Sequence, residues 1–128
     1  MHQQGLTDDC LHVIFNSIIY NRILYALSAW GGYLSWDAVN RLDVFFKKAT
    51  RWKLTENNHS IDQLLKQSDL RLFSHSLHPG HCLHHIFTYN NWSSQLSLRP
   101  RGHSFELPRY KYDLARKSFV MRALYNFI

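Results

Sequence analysis

Apolar residues crowd the first quarter of the chain without leaving a clear polar face. Thr7 followed by Asp8 and Asp9 predicts a helix start, a hydroxyl cap with two carboxylates where the helix dipole favours negative charge. Leu11, Ile14, Phe15, Ile18, Ile19, Ile23, Leu24, Tyr25, Leu27 and Trp30 then predict a helix to about residue 30, with only a thin polar stripe at Asp9, His12 and Asn16. A helix apolar nearly all round requires burial on every side. That is hard to achieve in so short a chain, and it suggests that one face was made for material not present here.

The next breaks are easier to read. Gly31-Gly32 stops the first helix, and Ser35 caps a second with Asp37 in its first turn. Val39, Leu42, Phe45 or Phe46, Ala49 and Trp52 recur at helical spacing as its buried stripe, while Arg41, Lys47, Lys48 and Arg51 project elsewhere. Asp37 with Arg41, and Asp43 with Lys47, are spaced as supporting i,i+4 pairs. Ser60 and Gln63 predict a capping box for a short helix through Gln67, and Ser68 opens another that ends at Pro79-Gly80. One or two further turns are expected over 81–87. Periodicity fades over 90–112, where Asn, Ser, Pro and Gly accumulate, and a closing helix is expected over 113–128, burying Leu114, Val120 or Met121, Leu124 and Phe127. The fold class expected is all-α, mainly helical, with an irregular basic loop before the last helix.

With 128 residues, 45% of them hydrophobic, the chain has material for one core and no second independent domain is expected. Charge changes the picture more than length does. The formal net charge is +6, the sequence pI about 9.6, and aromatic residues make up 15%, which together favour polyanionic partners. From Leu98 onward seven basic residues face only Glu106 and Asp113, so this stretch carries +5 of the excess. Cys10 and Cys82 are far apart, and with no secretory stretch at the start they fit a reducing, intracellular setting, nuclear or cytoplasmic. A membrane span over residues 10–36 is disfavoured by Asn16, Asn21, Arg22 and the Gly31-Gly32 break.

Candidate chemistry is sparse. Asp8 and Asp9 are adjacent carboxylates, but they stand at the mouth of a helix rather than between two apolar strands, so helix capping outweighs metal binding. His75, His78, His81, Cys82, His84 and His85 crowd one stretch, yet a single thiol and the Pro79-Gly80 break argue against a zinc site. No phosphate-binding glycine loop, nucleophile elbow or triad spacing occurs, so no catalytic residue and no cofactor is assigned. The basic residues remain. Arg99, Arg101, Arg109, Lys111, Arg116 and Lys117 form the main candidate nucleic-acid surface, with Phe105, Tyr110 and His103 as rings to stack on bases. Lys47, Lys48 and Arg51 form a second patch.

Four stretches, in this order, resemble the reverse transcriptases of jockey-like non-LTR (LINE-type) retrotransposons downstream of the polymerase palm. They are RILYALSAWGGYLS (22–35), RLDVFFKKATRW (41–52), SDLRLFSHSLHPGHCLHHIF (68–87), and LRPRGHSFELP together with RKSFVMRALYNFI near the end. The resemblance implies a C-terminal fragment of an RNA-directed DNA polymerase, with a thumb-like helix pair over 7–54, short helices over 60–87, a loop over 90–112 and a terminal helix over 113–128. It implies RNA or DNA as partner, together with the remainder of the polymerase. Magnesium would serve the parent enzyme, whose palm carboxylates have no matching positions here, so the chain is not expected to be an enzyme on its own. A rival reading makes the chain a protein-interaction module that docks, or self-associates, through helix 8–30; another makes it a metal-stabilised domain.

Overall fold

A computed structural model describes residues 5–89 and 102–127. The protein is mainly helical, and among the described residues the one extended pairing is an isolated antiparallel bridge between Tyr89 and Phe105. The chain divides into two compact units, residues 1–68 and 69–128.

In the first unit, α1 (Asp8–Ile14) starts as its sequence demands: the Thr7 hydroxyl accepts from the Cys10 amide at 3.4 Å, with Asp8 and Asp9 in the first turn. The single helix expected to residue 30 is not formed. A π-helical segment, Phe15–Tyr20, follows α1 and leads into α2 (Asn21–Leu24); α3 (Leu27–Trp30) comes only after a break at Tyr25 and Ala26. The π segment resolves the problem of a helix apolar on all sides. Leu11 and Phe15 are buried four residues apart, and the next inward ring is Tyr20, five residues on, so Ile18 and Ile19 are left outside at 59% and 37% exposure. One extra residue in the turn redirects the sequence's apolar surplus to solvent.

At the break, Ala26 adopts a left-handed conformation with φ 50°, and the Trp30 indole N–H donates to the Tyr25 carbonyl at 2.9 Å. Gly31, in a 3-10 turn over Gly31–Tyr33, is buried; a Cβ there would stand 2.7 Å from a Leu65 methyl and 3.0 Å from one of Leu27. This glycine therefore admits a close approach as well as ending a helix. α4 (Trp36–Arg51) is capped by the Ser35 hydroxyl, which accepts from the Ala38 amide, and buries Phe46 and Ala49. Asp43 does not serve Lys47 as expected. Its carboxylate accepts from the Ile61 amide at 2.9 Å, satisfying the first donor of the next helix.

That helix, α5 (Ile61–Ser76), is continuous where two were expected. Ser68 does not cap a helix; its hydroxyl pairs with that of Ser28 at 2.9 Å, so it does not compete with the backbone ladder. The first core gathers Leu27, Phe46, Ile61 and Leu64, against which Tyr20, Trp30 and Phe45 pack. Tyr20 lies 4.7 Å from the His59 ring. Burial pushes the Tyr20 hydroxyl above its ordinary pKa and the His59 imidazole below its own.

In the second unit the core is Phe73, Phe87, Phe105, Ala123 and Leu124. Residues 84–86 form the short 3-10 turn anticipated for 81–87. The closing helix is broken in two, α6 (Asp113–Arg116) and α7 (Phe119–Asn126), with Ser118 extended between them. Leu114 is not buried as expected but 67% exposed, because α6 ends before its register can be tied to that of α7. Arg122, on α7, donates Nε and Nη2 to the two oxygens of Asp69 at 2.9 and 3.0 Å, and its Nη1 donates to the Lys117 carbonyl at the end of α6.

Among the described residues no single helix is long and apolar enough to cross a membrane. Only Asp8–Leu24 and Leu27–Tyr33 taken together, bent by 41°, reach that length and hydropathy.

Candidate nucleic-acid interface

The basic positions separate by unit. Lys47, Lys48 and Arg51 are all exposed on α4, on the side away from buried Phe46 and Ala49. Lys48 and Arg51 also lie in the last turn, where cations complement the negative end of the helix dipole. Among the described residues none of the three has a carboxylate within ion-pair distance. Their charge is available to an incoming phosphate.

Trp52 departs from expectation. Placed by its spacing on the buried stripe, it is instead 59% exposed at the C-cap of α4. At about 100° per residue it falls about 40° from Lys48 but about 120° from Phe46, so the helical wheel, rather than the three-to-four count, carried the signal. Lys53, next to it in sequence, is exposed as well.

In the second unit Arg109, Lys111 and Arg116 are exposed and Lys117 is half-buried. Arg116 and Lys117 share one carboxylate: Arg116 lies 3.0 Å and Lys117 3.4 Å from Asp113. Exposed pairs of this kind contribute little to stability but partly neutralise the patch. Arg109 and Lys111 have no such partner among the described residues, and the Lys111 ammonium sits 5.6 Å from the centre of the exposed Tyr112 ring. Arg99 and Arg101 lie outside the described residues.

Of the rings expected to meet bases, Phe105 and His103 are drawn inward, while Tyr110 remains exposed. Phe105 is buried at 4% exposure and packs on Phe73 and Phe87. His103 bonds the Leu124 carbonyl at 2.8 Å and lies edge-on to Phe73, so both belong to the core. Tyr110 packs edge-on to Tyr125, whose hydroxyl donates to the Pro108 carbonyl at 3.0 Å. Tyr112, 66% exposed, is the ring this segment offers to solvent most fully.

The histidine-rich stretch is used locally. His81 Nδ1 accepts from the Leu83 amide, and His84 Nδ1 bonds the Ser76 carbonyl. Asp8 and Asp9 remain at the start of α1, and among the described residues no three His, Cys, Asp or Glu side chains lie close enough to share a cation. Comparison with protein-family models, curated proteins and solved structures gave no match.

Proposed function

We propose that the chain is the thumb-like and downstream part of a non-LTR retrotransposon reverse transcriptase, and that it binds RNA or DNA through phosphate contacts without carrying polymerase chemistry of its own. The single observation that supports this best is the set of exposed cations on α4, Lys47, Lys48 and Arg51, with no carboxylate at ion-pair distance among the described residues. Arg109 and Lys111 supply a second such surface. The order of the four resembling stretches supports the parentage. Binding of this kind is driven by counterion release, so the logarithm of affinity falls linearly with that of salt, by roughly 0.7 per phosphate neutralised on a single strand.

Fluorescence anisotropy of a labelled single-stranded RNA across a salt series tests it. Replacing Lys47, Lys48 and Arg51 together with Gln lowers the slope by roughly 2. An affinity indifferent to salt, or to these substitutions, would end the proposal.

A second reading, docking or self-association through residues 8–30, is favoured by Val13, Ile18 and Tyr25, which are 64%, 59% and 80% exposed. Under it, Val13→Ser with Ile18→Ser shifts the sedimentation of a self-associated species to that of a monomer and leaves RNA affinity unchanged.

A further inference from the structure

We infer that Trp52, with Lys48, Arg51 and Lys53 around it, is a stacking site for one unpaired base of a single-stranded nucleic acid. The inference rests on the nucleic-acid reading above and narrows its ligand from any polyanion to an unpaired strand.

The ring is accessible, and the backbone that carries it is held. Trp52 is 59% exposed, and among the described residues no other aromatic side chain packs on it. The backbone beneath it is tied by three hydrogen bonds: the Trp52 amide to the Lys48 carbonyl at 2.9 Å, the Lys53 amide to that of Thr50 at 3.0 Å, and the Leu54 amide to that of Ala49 at 2.9 Å. The last two are the paired bonds of a Schellman helix end, which closes the last turn and fixes the direction in which the chain leaves. The backbone at this turn has little freedom left to lose on binding, which favours affinity.

The residue at the left-handed position of this helix end is the second observation. Glycine is the usual occupant, since it pays no steric penalty there. Here the position is held by Lys53, with φ 57°. A strained backbone position draws attention to the side chain it carries, and this one puts a cation next in sequence to the exposed indole. Arg51 and Lys53 adjoin Trp52 in sequence and Lys48 precedes it by about one helical turn; all three are exposed, and none has an acidic partner at ion-pair distance among the described residues.

The combination selects for unpaired strands. A duplex offers phosphates, but its bases are already stacked on one another; a free strand offers phosphates and open faces together. Cations alone would bind both forms.

The test compares anisotropy titrations of the full chain against a labelled oligouridine and an RNA duplex of equal length at one salt concentration. Trp52→Ala weakens binding to the single strand about tenfold and leaves duplex binding within about twofold, and Trp52→Tyr restores most of the loss. Lys53→Gly raises the melting temperature while weakening single-strand binding, an opposition that a purely structural role for Lys53 would not produce. Unchanged single-strand affinity in Trp52→Ala, or equal losses on both ligands, overturns the stacking site. If substitution of Lys47, Lys48 and Arg51 abolishes binding while Trp52→Ala is silent, only this inference fails. If the unaltered chain retains neither ligand, the broader reading fails with it.

Discussion

Ala26 carries a backbone conformation that suits glycine, with φ 50°, at the point where α2 gives way to α3. The left-handed region costs an ordinary residue roughly 1–2 kcal/mol, part of which glycine gives back through its freer unfolded chain. Ala26→Gly is therefore expected to stabilise the protein by roughly 0.5–1 kcal/mol in urea denaturation. Ala26→Val, β-branched at the same φ, acts in the opposite direction. His59 makes a pH argument. Its ring lies against Tyr20 and Phe46, and burial holds its pKa below the ordinary value of about 6.5. As pH falls through that ordinary value, the unfolded chain takes up the proton before the folded one, so stability is lost on acidification and the loss is complete once pH is below the folded pKa. Above about pH 7.5 the effect vanishes. Subtracting the pH profile of His59→Gln from that of the unaltered chain should leave a difference that shrinks from pH 7 toward 5; a difference that grows would sink this account.

Among elements, α7 is joined to α5 by the Asp69–Arg122 pair, whose side chains are only 4% and 13% exposed. Removing one member leaves a buried charge without its complement, at a cost of roughly 3–5 kcal/mol. Asp69→Ala should therefore destabilise the second unit severely, while the double change Asp69→Leu with Arg122→Met stays within roughly 1–2 kcal/mol of the starting stability, since an apolar pair of similar bulk removes both desolvation costs. Denaturation of the three variants measures this. The elements legible in the sequence were those with local signals. Thr7 and Ser35 both cap where their hydroxyls predict, and α4 spans the residues its apolar spacing marks. The π segment was not legible, because a sequence read at 3.6 residues per turn has no term for an inserted residue; nor was the continuity of α5, because only the distant Ser28 shows that Ser68 is satisfied sideways.

For the whole molecule, formal charge overstates what a polyanion meets. Of the seven basic residues from Leu98 onward, Arg122 is paired and nearly buried, and Arg116 and Lys117 share Asp113. Neutralising Arg109 with Lys111 is accordingly expected to weaken RNA binding more than neutralising Arg116 with Lys117, read by anisotropy at one salt concentration. The candidate site was legible to the extent that charge alone defines it: Lys47, Lys48 and Arg51 are exposed as their spacing implies. The inward turn of Phe105 was not, because an aromatic residue in a polar stretch reads as surface until long-range packing draws it into a core.

The continuity of α5 bears on how the protein can be dissected. Its early turns supply Ile61 and Leu64 to one core and its later turns supply Phe73 to the other, while the boundary between the compact units falls at Ser68 and Asp69. A truncation made at that boundary severs a helix in mid-course and strips four residues' worth of backbone bonding from each new end. Halves intended to fold by themselves should each retain all of residues 61–76, so that the two pieces overlap.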